Sequence, residues 1–209
     1  DLVLSPSISA ISSNEMPDGL DGLVVAIPAQ NFRKSIQDKR ISRELPILSA
    51  TKGIEAGTLL LMNEILVEEG WSHDSISVLS GPNFAREIVN DLPALAVVAS
   101  QSRVQAAFWQ NGLSSDFFRV YTSLDVVGVQ IAGALKNVIA IATGAAFGMG
   151  FGINTCSALM TRGLSEITRL GNLLGASTET FLGLAGVGDL SASCFSPLSR
   201  NFQLGKRIG

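Results

Sequence analysis

The sequence predicts an α/β protein whose first part is an open parallel sheet and whose second part is entirely helical. Three observations carry this prediction. Short apolar runs alternate with amphipathic segments up to about residue 123, strand-like runs cease beyond that point, and a long amphipathic helical pattern follows. Such alternation is typical of βαβ units, in which helices cover both faces of a parallel sheet.

Four short apolar runs are predicted to be the strands, because continuous apolar runs are expected where a strand is covered on both faces. They occupy residues 23–27, 47–50, 76–79 and 95–99. Helices are expected between and after them, over about 29–39, 55–69, 83–90 and 102–111. In the second of these, Leu59, Met62 and Leu66 would share one face.

The second part has the period of an amphipathic helix. Its apolar stripe consists of Leu159, Ile167, Leu170 and Leu174, and its polar stripe of Arg162, Glu166 and Arg169. We therefore predict two domains, a sheet domain over residues 1–130 and a helical domain over residues 131–209. The sequence starts with Asp1 rather than Met and stops at Gly209 inside a segment with a continuing pattern, so we expect it to be part of a longer protein.

Composition excludes several classes of protein. Hydrophobic residues make up 46% and charged residues 16% of the 209 positions, which excludes a disordered chain. The formal charge is −3 and no long basic run is present, so nucleic acid is not expected as a partner. The single histidine, His73, lies in a polar run expected to be a surface loop, and it excludes a metal site with several histidines.

The cysteines and the most apolar stretch indicate an intracellular protein without a membrane span. Cys156 and Cys194 lack metal-ligand spacing and are expected to be reduced. This predicts a cytoplasmic protein, or one of an organelle stroma or matrix if a transit peptide precedes it. The stretch from Val129 to Phe151 contains Lys136, so we interpret it as a buried helix.

Two strand ends could contribute to a ligand site, because the loops at the carboxyl ends of parallel strands share one crevice. Lys52 follows the run 47–50 directly, and Gly81 begins a turn that would expose backbone N–H groups at a helix start. The alternatives are that Lys52 is a solvated loop residue and that Gly81 only forms a turn.

Lys136 is the most informative residue of the helical part. It stands among small apolar residues, where an amine must be paired or have a lowered pKa, and such an amine can act as a base near neutral pH. The alternative is a lysine that extends its ammonium group to the surface.

Two further strings lie near the end of the sequence. Gly186 and Gly188 resemble the start of a dinucleotide fingerprint, but Ser191 replaces its last glycine and no strand precedes it, so we reject that assignment. Ser199 is predicted to cap a last helix, whose free N–H groups together with Arg200 would suit a phosphate.

These segments, taken in order, carry a family resemblance. The strings are ATKGIE, SGPNFARE, GALKNVIAIA, TRGLSEITRLG, GLAGVGDL and SPLSRN. In this order they resemble the NAD(P)-dependent sn-glycerol-3-phosphate dehydrogenases of the bacterial and organellar type. The resemblance implies a partial Rossmann-type parallel sheet followed by an all-α domain, NAD or NADP as cofactor, a small phosphorylated substrate, and a role in glycerophospholipid biosynthesis. A homodimer is the assembly that it suggests.

The resemblance also implies roles for particular residues. Lys136 would accept the proton of the C2 hydroxyl, with Lys52 and Asp189 as the other catalytic residues beside it. The residues implied to bind substrate are Lys52, Gly81, Asn83, Lys136, Asp189, Ser199, Arg200 and Asn201. Those implied to lie near the cofactor are Lys52, Ala85 and Arg200, and no metal is implied.

The sequence departs from the family pattern at three places. Asn83 stands where serine or threonine is common, and Ser193 where threonine is usual. The Gly-rich turn that holds the cofactor pyrophosphate in the family has no counterpart in these residues. We therefore expect these 209 residues by themselves to bind a nicotinamide cofactor weakly.

Two other interpretations remain open from the sequence. One is a relative among the two-domain 3-hydroxyacid and 6-phosphogluconate dehydrogenases, although the Leu198–Asn201 string favours glycerol 3-phosphate. The other is a catalytically silent binding module in which Lys136 reaches the surface.

Overall fold

The strands and helices of the protein are described by a computed structural model over residues 5–12, 15, 17–38 and 40–209. The strands are β1 (Leu23–Val25), β2 (Ile47–Ser49), β3 (Ile76–Ser80), β4 (Ala94–Ala99) and β5 (Phe118–Ser123). The helices are α1 (Ala29–Ile36), α2 (Met62–Glu68), α3 (Ala85–Ile88), α4 (Arg103–Leu113), α5 (Val126–Gly148), α6 (Ile153–Leu173), α7 (Thr178–Leu182), α8 (Asp189–Phe195) and α9 (Arg200–Ile208). A sheet with its helices is thus followed by a helical part, which confirms the predicted class.

The sheet is mostly parallel rather than wholly parallel as predicted. Its strand order is β1-β2-β3-β4-β5, and only the β3–β4 pair is antiparallel, with Val78 opposite Ala99. The connection between these two strands contains only the four-residue helix α3. A parallel crossover normally needs a longer helix to return the chain across the sheet, so the short connection favours reversal.

The prediction of four strands was wrong by one, because β5 was missed. This strand pairs in parallel with β4 along its whole length, yet only Val120 in it is fully buried. An edge strand of this kind alternates in burial and has no continuous apolar run. The criterion of an uninterrupted apolar run therefore does not predict β5.

The predicted helix over 55–69 begins only at Met62. Before it, Gly57 and Leu59 adopt left-handed backbone angles, and the Leu59 side chain is 75% exposed. The Glu64 carboxylate accepts a hydrogen bond from the Leu61 N–H and so fixes the start of α2 there. The predicted helices over 29–39, 83–90 and 102–111 are present as α1, α3 and α4 with shifted ends, and residue 39 lies outside the described residues.

Helix α5 is the central element of the helical part and packs against α6, α8 and α9. It is long and apolar enough to cross a membrane by length and composition alone, but its buried residues include Gln130, Lys136 and Thr143. These polar side chains make it a core helix, as predicted. On α6 the predicted apolar stripe is only partly buried: Ile167 is 5% exposed, whereas Leu170 is 43% exposed.

Glycines allow α5 and α9 to approach until their backbones touch. A Cβ atom at Gly205 would lie 2.0 Å from the Ile141 carbonyl oxygen, and one at Gly144 would lie 2.2 Å from the Phe202 carbonyl oxygen. Backbone atoms cannot move aside as a flexible side chain can. The two glycines therefore fix the distance between the helix that carries Lys136 and the helix that begins at Arg200.

The loop after Lys52 is attached to α1 by two polar contacts. The Arg33 guanidinium donates to both carboxylate oxygens of Glu55, at 2.9 and 2.8 Å. The Gln30 side-chain amide donates to the Ile54 carbonyl and accepts from the Ala56 N–H, both at 2.9 Å. Together they hold the loop residues 54–56 against the helix.

Replacing Gly205 with Ala tests the close contact between α5 and α9. We expect a net loss of about 1–3 kcal/mol in the free energy of unfolding, because the added methyl group meets backbone. The control is Gly112→Ala in α4, where a Cβ would meet nothing within 4 Å. That change should stabilise the protein by up to about 1 kcal/mol through helix propensity. Urea denaturation measures both, and equal stabilisation by the two changes would contradict this packing.

Glu55→Gln tests the contact between α1 and the loop. Hydrogen bonds from Arg33 and Thr58 lower the pKa of Glu55 from 4.5 to about 2, so its ionised form stabilises the fold above pH 4.5. This contribution is lost as the pH falls through that window to 2. We expect the variant to have a lower Tm than the parent at neutral pH and the same Tm as the parent near pH 2. Glu44→Gln, at an exposed position, is the control and should leave the Tm unchanged at both pH values.

Candidate functional site

A cavity of about 620 Å³ lies where the carboxyl ends of β1 and β2 face α5, α8 and α9. This is the edge at which ligands bind in open α/β sheets. Its lining consists of Ala26, Ile27, Pro28, Ala50, Thr51, Lys52, Phe84, Lys136, Asn137, Ser193, Leu198, Ser199, Arg200 and Asn201. One wall is apolar and comes from the sheet side, whereas most of the polar side chains come from the helices.

Lys52 enters the cavity from the sheet side, three residues after the end of β2. Its Nζ donates to Asp189 Oδ2 at 2.7 Å and to the Gly81 carbonyl oxygen at 3.2 Å. Gly133 on α5 leaves room for it, since a Cβ there would lie 3.5 Å from the Lys52 side chain. The lysine is therefore held at a fixed place and is not a solvated loop charge.

Lys136 enters the same cavity from the middle of α5, and its side chain is 10% exposed. Its Nζ donates to Asp189 Oδ1 and, at 2.8 Å, to Ser193 Oγ. Two partners hold the amine inside the protein, and the alternative in which it extends to the surface does not apply.

Asp189 joins the two lysines and is 4% exposed on its side chain. It is the first residue of α8 and follows a π-helical turn over Leu184–Gly188. Within this turn a Cβ at Gly186 would lie 2.1 Å from the Phe181 carbonyl oxygen, so this glycine serves close packing. The Gly186–Gly188 string thus positions Asp189, and no strand precedes it.

The environment of Lys136 makes its amine less basic than usual. Burial first, and then the neighbouring Lys52 charge, lower the pKa of Lys136 from 10.5 to about 8, although Asp189 acts in the opposite direction. An amine with this pKa exchanges a proton near neutral pH. The site can therefore hold either a neutral base or an ammonium acid at one fixed atom.

The other end of the cavity is formed by the start of α9. Ser199 Oγ accepts a hydrogen bond from the Phe202 N–H at 3.2 Å, which confirms it as the predicted N-cap. Arg200 and Asn201 follow and line the cavity. Asn201 Nδ2 donates to Asn137 Oδ1 at 2.7 Å, which ties this helix start to α5. Free N–H groups, a guanidinium and an amide make this end suitable for an anion.

The structure gathers most of the predicted site residues but not all of them. Lys52, Lys136 and Ser199–Asn201 line one cavity, Asp189 contacts both lysines, and Gly81 contributes its carbonyl oxygen. Asn83 and Ala85 lie outside its lining, so their assignments stay predictions.

Several lining residues were not predicted, among them Phe84 and Asn137. Asn137 directly follows Lys136, and neighbours in a helix point about 100° apart, so helical periodicity gives no reason to pair them. Phe84 belongs to the string that drew attention to Gly81, but nothing in the string shows that its side chain turns toward the cavity.

Replacing Asp189 with Asn tests the buried charge arrangement. It would leave Lys52 and Lys136 facing each other without a counter-charge, at a cost of about 3 kcal/mol in the free energy of unfolding near pH 7. The loss should be smaller near pH 9.5, where Lys136 with its pKa of about 8 is mostly neutral. Urea denaturation at the two pH values measures this. The control is the exposed Asp116→Asn, and a loss independent of pH would contradict the charge explanation.

Comparisons with known proteins agree with this geometry. The family profile described as NAD-dependent glycerol-3-phosphate dehydrogenase N-terminus matches residues 3–106, and the corresponding C-terminus profile matches residues 125–209. A glycerol-3-phosphate dehydrogenase [NAD(P)+] of Corynebacterium glutamicum is 46% identical over 212 aligned positions, covering 100% of this chain and 64% of the relative. One from Mycobacterium tuberculosis is 45% identical, covering 99% of this chain and 63% of the relative.

A solved structure gives the same result. The crystal structure of glycerol-3-phosphate dehydrogenase from Coxiella burnetii has a TM-score of 0.86 and 34% identity, over 91% of this chain and 59% of that one. The chain thus spans somewhat under two thirds of the length of these relatives. Both halves of the chain match the same family, and the cavity lies where the two halves meet. The chain belongs to the NAD-dependent glycerol-3-phosphate dehydrogenase family.

Proposed function

We propose that the protein interconverts sn-glycerol 3-phosphate and dihydroxyacetone phosphate with NAD or NADP. One observation carries this proposal: the buried amine of Lys136 and the guanidinium of Arg200 face a single cavity from different helices. An amine with a lowered pKa suits proton transfer, and a guanidinium at a helix start suits a phosphate. The names of the relatives, glycerol-3-phosphate dehydrogenase [NAD(P)+], point to the same reaction.

The phosphate of the substrate would bind at the start of α9. Arg200 offers a bidentate contact, the backbone N–H groups of the first turn offer further donors, and Asn201 is held in place by Asn137. This anchor favours a phosphorylated substrate over an unphosphorylated 3-hydroxyacid, because a guanidinium and several N–H donors match the three oxygens and higher charge of a phosphate better than a singly charged carboxylate.

The proton of the reaction would be held at Lys136 Nζ. In the direction of oxidation the neutral amine accepts the proton of the C2 hydroxyl, and in the direction of reduction the ammonium form returns it to the developing alkoxide. Asp189 and Ser193 fix the nitrogen, so the proton is exchanged at one position. Lys52, which shares Asp189 with Lys136, supplies a second positive charge next to the C2 oxygen of the substrate.

A nicotinamide ring would fit the apolar wall of the cavity. Ala26, Ile27, Pro28 and Phe84 form this wall at the carboxyl ends of the strands, where an apolar surface suits one face of a flat ring. When bound, NAD(P) supplies the hydride acceptor or donor. Lys52 and Arg200 lie on the opposite, cationic side, and we place Ala85 near the remainder of the cofactor.

Three further features belong to the proposal. We place the division between a sheet domain and a helical substrate domain near residue 130, within α5. We expect two copies to associate as a homodimer and the protein to act in the cytoplasm, as befits an enzyme with small phosphorylated metabolites as substrates.

Variants at Lys136, made in the protein at its full natural length, test the proposal. Lys136→Ala should lower kcat for dihydroxyacetone phosphate reduction by about 10²–10⁴-fold, because the proton donor is lost. Lys136→Arg should be similarly impaired, since a guanidinium keeps the charge but does not exchange a proton near neutral pH. Lys34→Ala, at an exposed position on α1, is the control and should leave turnover unchanged.

The pH dependence of the two reaction directions in the parent enzyme tests Lys136 as the residue that exchanges the proton. Because the pKa of Lys136 is about 8, kcat/KM for oxidation of glycerol 3-phosphate should rise with pH and level off above that value. The rate of the reverse reaction should fall over the same range. Turnover unaffected by Lys136→Ala would contradict the role of Lys136 in proton transfer, and a parent protein without turnover would favour the interpretation as a silent binding module.

A further inference from the structure

One buried hydroxyl beside the lysine pair has no part in the function proposed above. Ser80 is the last residue of β3 and is 2% exposed. Its Oγ lies 3.4 Å from Asp189 Oδ2, the same carboxylate oxygen that accepts from Lys52. Ser80 therefore reaches Asp189 from the sheet, although the two residues are 109 positions apart.

The surroundings of Ser80 leave room for this hydroxyl and little else. A Cβ at Gly133 on α5 would lie 2.7 Å from Ser80 Oγ, so only glycine at that position lets the helix pass over it. The next residue, Gly81, gives its carbonyl oxygen to Lys52. The end of β3 thus contacts Lys52 through the Gly81 carbonyl oxygen and Asp189 through the Ser80 hydroxyl.

The three donors around Asp189 and their distribution decide how the carboxylate is oriented. Oδ2 accepts from Lys52 and Ser80 on the sheet side, whereas Oδ1 accepts from Lys136 on the helix side. A partial rotation of the carboxylate about its Cβ–Cγ bond would move both oxygens away from these three donors. A second, neutral donor on Oδ2 holds that oxygen on the sheet side even when Lys52 turns toward a substrate.

We infer that Ser80 is a positioning residue for the proton transfer: it holds Asp189 so that Oδ1 faces Lys136 while Lys52 is shared with the substrate. This inference rests on the proposed function.

Other serines of the sheet show that this contact is not a general property of buried serines here. Ser77 lies on the same strand, is fully buried, and its hydroxyl has no hydrogen-bond partner among the described residues. Ser49 at the end of β2 is in the same situation. Ser77 is therefore a matched control for Ser80, with the same residue type, strand and burial but no contact with the site.

The first measurement compares Ser80→Ala with Ser77→Ala in the protein at its full natural length. We expect Ser80→Ala to lower kcat for glycerol 3-phosphate oxidation about tenfold, the effect of one lost hydrogen bond to a charged group, with KM changed by less than about twofold. Ser77→Ala should leave both unchanged. Equal kinetics for the two variants would overturn the inference.

The second measurement follows the titration of Lys136 itself, by competitive acetylation of lysines at a series of pH values and mass spectrometry. Without the Ser80 hydroxyl, Asp189 Oδ1 is no longer held against Lys136. Because Asp189 raises the pKa of Lys136, the midpoint of the lysine's titration should fall by about half a pH unit. The charged groups that face Lys136 are Lys52, Asp189 and Arg200, together with the Cys194 thiol, and both variants keep all of them. A purely structural role for Ser80 would not move this midpoint.

The two measurements separate failure of this inference from failure of the proposed function. A parent protein that does not oxidise glycerol 3-phosphate, but in which Ser80→Ala still lowers the Lys136 midpoint, would reject the function and keep the positioning role. An active parent in which Ser80→Ala matches Ser77→Ala in rate and midpoint would reject the positioning role and keep the function.

Discussion

The buried carboxylate of Asp189 between two ammonium groups is the constraint on which the rest of the site depends. Lys52 approaches it from the sheet, Lys136 approaches it from α5, and the carboxylate itself begins α8. A buried charge without a partner costs several kcal/mol. The three elements must therefore keep one relative position, and the close contacts at Gly133 and Gly186 follow from that requirement.

The same arrangement gives the cavity two properties that a catalyst for a phosphorylated substrate needs. Three cationic side chains, Lys52, Lys136 and Arg200, share the site with one carboxylate, so an anion is favoured there. Burial, together with the neighbouring Lys52 charge, makes Lys136 a weaker base than an ordinary lysine. The positive charges that favour an anion thus also contribute to the low basicity of Lys136, and both properties are obtained at some expense of stability.

The course of the chain could be predicted where local signals are strong. The apolar runs of β1 to β4 and the change to helices near residue 123 are such signals, since burial on both faces of a sheet requires them. Local signals did not predict the structure where contacts between distant parts of the chain determine it. The reversal between β3 and β4, the edge strand β5 and the irregular turn before α2 depend on neighbours that are distant in sequence.

The sequence by itself determined which chemical groups are present and in what order: an amine in an apolar helix, a lysine after a strand, and a capped helix start with a guanidinium. The order of the motifs also determined the family. Only the tertiary structure decided which contacts join Lys52, Lys136 and Asp189, that Ser80 contacts Asp189 and Asn137 contacts Asn201, and that Asn83 lies outside the cavity lining. The reason is physical, because the direction of a side chain depends on the packing of elements that are separated by up to 137 positions.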